Sequence, residues 1–180
     1  MIRALFLACM LRASAAVVLP WGPVVNLPGA PANSPPMESG YLSANGRALF
    51  GWYVQGPDVS APLVVWQNGG PGCSSVQGML SEQGPHRVAS SGDLETNPWG
   101  WQNVAHMLFL ESPAGVGFSY SNDTSDYVVG DDRAAADVSA ALVTFISQHR
   151  ELQDNKLYLS GEVRRVARGV GAHLEDAQHS

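Results

Sequence analysis

The stretch PLVVWQNGGPGCSS, residues 62–75, decides the fold of this chain. Its first part, residues 62–67, is a short apolar run of β-branched and aromatic side chains, which predicts a buried β-strand. The run ends at Asn68, and the Gly-rich segment 69–72 follows. Glycines allow a sharp turn and leave backbone N–H groups uncovered, as a developing oxyanion requires. Taken alone, the glycines are explained equally simply by a tight turn without a function.

The segments downstream predict the rest of an α/β sheet. Residues 104–111 form a second apolar run and predict another buried strand. Residues 131–152 carry apolar side chains at helical spacing, and residues 157–160 predict a third buried strand. The order strand, loop, strand, long helix, strand is typical of an α/β sheet with right-handed crossovers.

The segments upstream predict an extended arm and a hairpin. Residues 17–39 are rich in Pro, Gly and Asn without periodicity, which indicates an extended N-terminal arm. Residues 41–42 and 48–54 predict two strands joined by a turn at residues 45–46, an Asn-Gly pair. We therefore expect the compact domain to cover residues 40–162.

The first residues resemble a secretory signal peptide. Arg3 precedes the apolar run 4–11, and small residues at 13–16 suit cleavage, so residues 1–16 are the expected signal. The run is too short to span a bilayer, and the alternative is an ordinary N-terminal helix. Cleavage would remove Cys9 and leave Cys73 without a partner in a compartment where disulfides are expected.

Composition limits the partners. The 180 residues are 45% hydrophobic and 14% charged, with a net charge of -6, which predicts one domain with a sizeable core. Basic runs are absent before the last eighteen residues, which argues against nucleic acid and anionic membranes as partners. No motif points to a metal or a cofactor, so we expect none.

The string 66–75 resembles the oxyanion-loop signature of the serine carboxypeptidase family, whose fold is the α/β hydrolase. One departure is Gln67, where the family usually has Leu. Four further segments resemble the family in the same order, and the resemblance spans about residues 24–162: residues 25–29, 39–42, 80–85 and 108–120. The implied fold is an incomplete α/β hydrolase, the N-terminal part of its mostly parallel sheet with flanking helices.

The resemblance implies roles for four residues. Gly70 would donate its backbone N–H to the oxyanion, and Asn68 would bind the C-terminal carboxylate of a peptide through its side-chain amide. Glu82 and Glu162 resemble the paired carboxyl groups of the family's carboxylate-recognition site. Without the resemblance, Glu82 would be interpreted as a solvated charge.

The family's nucleophile is absent from its expected place. The motif Gly-Glu-Ser begins here with Gly161 and Glu162, but the next residue is Val163, which has no nucleophilic atom. The catalytic Asp and His lie far downstream in the family, and the sequence reaches Ser180 before either of these two positions. We therefore predict no catalytic residue in this chain. Three histidines match no catalytic position and are expected at the surface or in loops: His86, His106 and His149.

Two further segments have alternative interpretations. Residues 163–180 differ from the rest, which suggests a frameshift or an alternative splice junction after Glu162. A helix with functional arginines is the alternative there, but a solvated tail fits the missing apolar stripe better. Asn122 begins a glycosylation sequon, Asn-Asp-Thr, which is relevant if the chain is secreted.

The sequence therefore predicts an inactive serine carboxypeptidase-like chain. The parental activity would be hydrolytic release of C-terminal amino acids from peptides, in an extracellular, vacuolar or lysosomal part of the secretory pathway. One alternative is a fragment of the acyltransferase branch of the same fold. Another is a non-catalytic module in which Asn68, Glu82 and Glu162 hold a peptide C-terminus. A non-functional product of aberrant splicing is the third.

Overall fold

The computed structural model describes residues 20–70 and 72–162. The expected signal peptide and the divergent tail from residue 163 lie outside the described residues, as does Cys9. Within the described residues, no helix is long and apolar enough to cross a membrane. No cluster of three or more His, Cys, Asp or Glu side chains in these ranges could hold a metal ion.

The architecture is a six-stranded mixed sheet with a separate two-stranded ribbon. The strands in chain order are β1 Gly22–Pro23, β2 Met37–Ala44, β3 Arg47–Val54, β4 Leu63–Gln67, β5 His86–Val88, β6 Leu94–Thr96, β7 His106–Leu110 and β8 Leu157–Gly161. The large sheet has the order β1-β2-β3-β7-β4-β8, and β5 pairs with β6. The first four strands of that order are antiparallel, whereas β7, β4 and β8 run parallel.

Among the described residues the helices are few and only one is long. That helix is α2, Asp131–Gln148; the others are α1, Ser75–Gly78, a π-helical turn, Met79–Gln83, and short 3₁₀ turns at Trp101–Asn103, Thr124–Tyr127 and Arg150–Leu152. The helix was predicted to continue to residue 152. It ends at Gln148 because His149, with φ -121° and ψ 61°, leaves helical geometry.

The core lies on both faces of the sheet. Strand β7 contributes Leu108 and Leu110 to the cluster under α2, and Met107 and Phe109 to the cluster on the opposite face. Successive side chains of a strand point to opposite faces, so a strand covered on both sides reads as a continuous apolar run. The prediction of a buried strand there is confirmed.

The hairpin is confirmed, and it is longer than predicted. Asn45 and Gly46 have φ of 50° and 87°, the left-handed values that a two-residue hairpin turn requires. Strand β2 begins at Met37, so the expected domain boundary at residue 40 falls inside a strand. The arm before it joins the fold, because β1 pairs with β2 and the Trp21 ring packs edge-on against Phe145 at 5.5 Å.

The prediction that the three histidines lie at the surface or in loops is wrong for His86 and His106, which lie in β5 and β7, and it is correct only for the loop position of His149 after α2. His86, His106 and His149 are all buried. His106 is held by polar neighbours: Nε2 donates to the Asp58 carbonyl (2.9 Å), while Nδ1 accepts from Tyr53 Oη–H (2.6 Å). Since a carbonyl only accepts, this arrangement sets the tautomer. Burial also raises the pKa of the Tyr53 hydroxyl. Paired polar atoms allow His106 and His149 to enter the core, which a lone sequence position does not reveal. Both ring nitrogens of His86 lack a hydrogen-bond partner among the described residues.

Strand β8 was predicted to be buried, and this prediction is wrong. Leu157 and Tyr158 are 39% and 52% exposed. The physical reason is topological, because β8 is an outer strand that pairs with β4 alone within the described residues.

Candidate functional site

The candidate site lies where β4 and β8 end. The two strands are parallel and Gln67 pairs with Gly161, so the residues that follow each of them stand side by side. These residues are Asn68 and Glu162. The Asn68 side-chain Nδ2 donates to Glu162 Oε1 at 3.0 Å. The sheet register therefore brings together two of the four residues implied by the family resemblance.

The orientation of the Asn68 amide is fixed by its neighbours. Trp66 Nε1–H donates to Asn68 Oδ1 at 2.7 Å, so the amide nitrogen must face Glu162. The Asn68 backbone N–H donates to Ser75 Oγ (3.1 Å), whose hydroxyl donates to the Leu110 carbonyl (2.7 Å). Ser75 is buried, so this link joins the end of β4 to the end of β7.

A glycine in α1 leaves room for this amide. A Cβ atom added to Gly78 would collide with Asn68 Oδ1 and would approach Trp66 Nε1 to 3.1 Å. Only a residue without a side chain lets the helix approach so closely. Gly78 is therefore part of the support of Asn68, a role that no pattern in the sequence indicates.

Gly70 stands in the loop between β4 and α1. Its φ is +122°, in the region that favours glycine, and the Cys73 backbone N–H donates to the Gly69 carbonyl at 3.0 Å. Cys73 is exposed and is a free thiol. Pro71 lies outside the described residues. The role of Gly70 as an oxyanion donor stays a prediction.

Glu82 contacts the Asn68 pair only indirectly. Its side chain is exposed, and its backbone carbonyl accepts from Asn97 Nδ2 at 2.8 Å. With the Gln83 amide oriented to satisfy both neighbours, Gln83 Nε2 donates to Glu82 Oε2 (3.1 Å) and Gln83 Oε1 accepts from Trp66 Nε1 (2.7 Å). Trp66 thus shares its one indole hydrogen between Gln83 Oε1 and Asn68 Oδ1. The described residues contain no hydrogen bond between the carboxyl groups of Glu82 and Glu162. The face-to-face pairing of these two groups stays a prediction.

Sequence reasoning missed Glu111, which organises the floor of the site. This residue follows β7 and is fully buried. Its carboxylate accepts from Ser74 Oγ–H and from the Phe118 backbone N–H (2.6 Å), and its own carbonyl accepts from Ser119 Oγ–H (2.7 Å). Ser74 is the N-cap of α1, so Glu111 ties the Gly-rich loop to the loop that contains Phe118. An acidic residue placed directly after a buried strand was the available signal.

The comparisons with known proteins agree with this geometry. A mixed sheet whose parallel strands β4 and β8 end in a Gly-rich loop, an amide and a carboxylate fits the N-terminal part of an α/β hydrolase. The chain belongs to the serine carboxypeptidase family, whose family model, described as "Serine carboxypeptidase", matches residues 28–163. The family and the fold class that the sequence predicted are both confirmed.

Relatives and one solved structure give the extent of the match. Serine carboxypeptidase-like 27 of Arabidopsis thaliana is 47% identical over 150 residues, which cover 77% of this chain and 33% of the relative. Lysosomal protective protein of Mus musculus is 47% identical over 128 residues, covering 69% of this chain and 27% of the relative. The crystal structure of Kex1Δp, a prohormone-processing carboxypeptidase of Saccharomyces cerevisiae, matches with a TM-score of 0.64 and 29% identity, covering 82% of this chain and 35% of that chain. The chain thus spans about a third of the length of these proteins.

Proposed function

We propose that this chain recognises the C-terminal carboxylate of a peptide and does not hydrolyse the peptide. The observation that carries the proposal is the Asn68–Glu162 hydrogen bond of 3.0 Å at the paired ends of β4 and β8. In the sequence, the residue that follows Glu162 is Val163. A valine side chain has no atom that could attack a carbonyl carbon.

The parental reaction proposed for the family's longer members is the release of C-terminal amino acids from peptides. It would proceed through an acyl-enzyme on the serine that Val163 replaces here. The family description and the carboxypeptidase names of the relatives support this assignment.

The proposed recognition of a peptide carboxylate depends on the side-chain amide of Asn68. Asn68 Nδ2 carries two hydrogens, and within the described residues Glu162 accepts one of them. The second is the proposed donor to a peptide carboxylate, whereas the proposed role of the Gly70 backbone N–H is that of the family's oxyanion donor. Carboxyl groups beside an anionic ligand cannot all be ionised, so one of Glu82 and Glu162 is proposed to be protonated in the complex and to donate a hydrogen bond to the ligand's carboxylate. Glu82 is proposed to complete the site at its outer side, through Gln83 and Trp66.

The proposed compartment is the secretory pathway, either outside the cell or in a vacuole or lysosome. One relative is named as a lysosomal protein, which supports this location. Asn122 is exposed and begins an Asn-Asp-Thr sequon, so it is the proposed glycosylation site. The proposed partners are peptide C-termini.

The first experiment tests the missing reaction. The purified 180-residue chain is incubated with a blocked dipeptide at about pH 4 to 8, the range over which carboxyl groups and histidines titrate. No amino acid should be released. Release that is equal in a Gly70→Ala variant would come from a contaminating enzyme, whereas release that Gly70→Ala abolishes would contradict the proposal.

The second experiment tests recognition. Equilibrium dialysis compares a labelled peptide that ends in a free carboxylate with the same peptide amidated at its C-terminus. The free acid should bind at least about tenfold more tightly, a difference of about 1.4 kcal/mol. Asn68→Ala should remove the preference, and the exposed substitution Asn122→Ala serves as the matched control. Equal binding of both peptides would contradict the proposal.

A further inference from the structure

One indole hydrogen in the candidate site serves two acceptors. Trp66 Nε1 lies 2.7 Å from Asn68 Oδ1 and 2.7 Å from Gln83 Oε1. An indole nitrogen carries one hydrogen and accepts none, so the two amide oxygens compete for it. Because the N–H cannot point straight at both oxygens, each bond is weaker than a bond to one acceptor alone. A stronger bond to Gln83 therefore weakens the bond to Asn68.

The backbone of Gln83 is held in place on both sides. Its side chain is buried at the end of the π-helical turn. The carbonyl groups that flank it, those of Glu82 and Gly84, both accept from Asn97 Nδ2 at 2.8 Å. The Asn97 backbone N–H in turn donates to the Pro85 carbonyl at 2.8 Å. These bonds keep the Gln83 amide within reach of the indole.

The other end of the Gln83 amide contacts a carboxyl group. Gln83 Nε2 donates to Glu82 Oε2 at 3.1 Å. A hydrogen bond to an ionised carboxylate is stronger than one to a neutral carboxyl group. Hydrogen bonds in a chain polarise one another, so a charge on Glu82 makes Gln83 Oε1 a stronger acceptor for the Trp66 hydrogen. Three hydrogen bonds in series thus form a relay, Glu82–Gln83–Trp66–Asn68.

We propose that Gln83 is a positioning residue that transmits the charge of Glu82 to the Asn68 amide. This inference rests on the proposed function, in which Asn68 Nδ2 donates to a peptide carboxylate. When Glu82 is ionised, Gln83 draws the Trp66 hydrogen away from Asn68. When Glu82 is neutral, the hydrogen moves towards Asn68 Oδ1, polarises that amide and makes Nδ2–H a better donor to the ligand. A neutral Glu82 and a bound carboxylate therefore favour each other.

Other ionisable groups lie close to the relay. Arg87 on β5 donates from its guanidinium to the Glu82 carbonyl at 3.4 Å, and it stays charged. His86 is buried in the same strand, and Glu162 accepts directly from Asn68 Nδ2. Because His86 and Glu162 also titrate, a change of pH would alter several groups at once. The test therefore removes the charge of Glu82 by substitution at constant pH.

Scalar couplings across hydrogen bonds test the shared hydrogen in the unaltered chain without a ligand. In a sample labelled with ¹³C and ¹⁵N, the Trp66 indole nitrogen should couple to two side-chain carbonyl carbons, those of Asn68 and Gln83. Coupling to one of these carbons alone would overturn the proposal, because the hydrogen would then belong to a single acceptor.

A pair of substitutions tests the transmission, again without a ligand. Glu82→Gln removes the charge and keeps an oxygen for Gln83 Nε2, so it should move the Trp66 indole and Asn68 amide signals. Gln83→Met keeps a side chain of similar length and removes both amide bonds, so in this background Glu82→Gln should leave the two signals in place. A residue that only fills space would not produce this loss. Equal shifts in both backgrounds would overturn the proposal.

Equilibrium dialysis measures the consequence for binding. Gln83→Met should bind the peptide with a free C-terminal carboxylate about threefold more tightly, because Asn68 then receives the whole Trp66 hydrogen. Gln77→Met makes the same change at an exposed position of α1 and should match the unaltered chain. Weaker binding by Gln83→Met would overturn the proposal. If the unaltered chain binds no peptide while Glu82→Gln still moves the Asn68 signals through Gln83, the proposed function is wrong and the relay is retained.

Discussion

Strands β7 and β8 belong to the same parallel part of the sheet, yet their surroundings differ. All five residues of β7 are buried, whereas the first two residues of β8 are exposed and the other three are partly so. Strand β7 has β3 and β4 as neighbours and core clusters on both faces. Strand β8 has only β4 among the described strands. Both sequences read as apolar runs, so the difference shows that pairing partners, and not the run itself, decide burial.

The largest expected effect is a loss of stability when one aromatic side chain in each strand is truncated. Phe109→Ala in β7 should lower the free energy of unfolding by about 3–5 kcal/mol, because it leaves a cavity in a fully buried cluster. Tyr158→Ala in β8 should cost less than about 1 kcal/mol, since half of that side chain is already exposed. Urea denaturation at one protein concentration measures both values. Equal losses would show that β8 is as well covered as β7.

The next comparison uses the acidic residues that follow the two strands. Glu111→Gln should destabilise the protein by about 1–3 kcal/mol, because the amide nitrogen turns a donor towards the Ser74 hydroxyl or the Phe118 N–H. Glu162→Gln keeps an oxygen for Asn68 and should change stability by less than about 0.5 kcal/mol. The same denaturation experiment checks the pair. A small loss for Glu111→Gln would mean that this carboxylate does not organise the loops.

A third comparison uses two glycines, one beside the site and one on open surface. Gly78→Ala should push Asn68 away from its position and reduce the affinity for a C-terminal peptide on the order of tenfold. Gly22→Ala has nothing within 4 Å of the added Cβ and should leave the affinity unchanged. Dialysis with the labelled peptide measures both. Unchanged affinity in the Gly78 variant would show that the amide tolerates displacement.

The smallest expected effect is a pH dependence of stability that arises from the buried side chain of His86. Burial lowers the pKa of His86 below its ordinary value of 6.5, since its ring is taken out of water. The unfolded chain therefore binds this proton first, so the stability contributed by neutral His86 is present above about pH 6.5 and is lost as the pH falls below it. His86→Leu should reduce the acid-induced fall in Tm by about 2–4 °C at most. An unchanged slope of Tm against pH would rule out this contribution.

Much of the fold followed from local patterns in the sequence. The apolar runs predicted β4 and β7, helical spacing predicted α2, and the Asn45-Gly46 pair predicted the hairpin turn. The exposure of β8 and the burial of the histidines did not follow, because both depend on which distant segments pair with or cover a residue. Periodicity reports which face is apolar and does not report whether a neighbouring strand is present.

The candidate site was predictable only in part. The resemblance named Asn68 and Glu162, and the structure brings their side chains into contact. It gave no indication of the supporting residues Ser75, Gly78 and Glu111, whose roles arise from contacts across the sheet. A buried hydroxyl or a missing Cβ acts through geometry, and a single sequence contains no record of that geometry.

We propose that Asn68 and Glu162 recognise a peptide C-terminus in a chain whose sequence has Val163 at the expected position of the nucleophilic serine. The most direct measurement is an NMR titration of the ¹⁵N-labelled chain with a peptide that ends in a free carboxylate, observing the Asn68 side-chain amide signals and the integrity of the peptide in the same sample. The account predicts saturable shifts of those signals, no such shifts with the amidated peptide, and an intact peptide at the end. Absence of shifts, or release of the C-terminal amino acid, would contradict it.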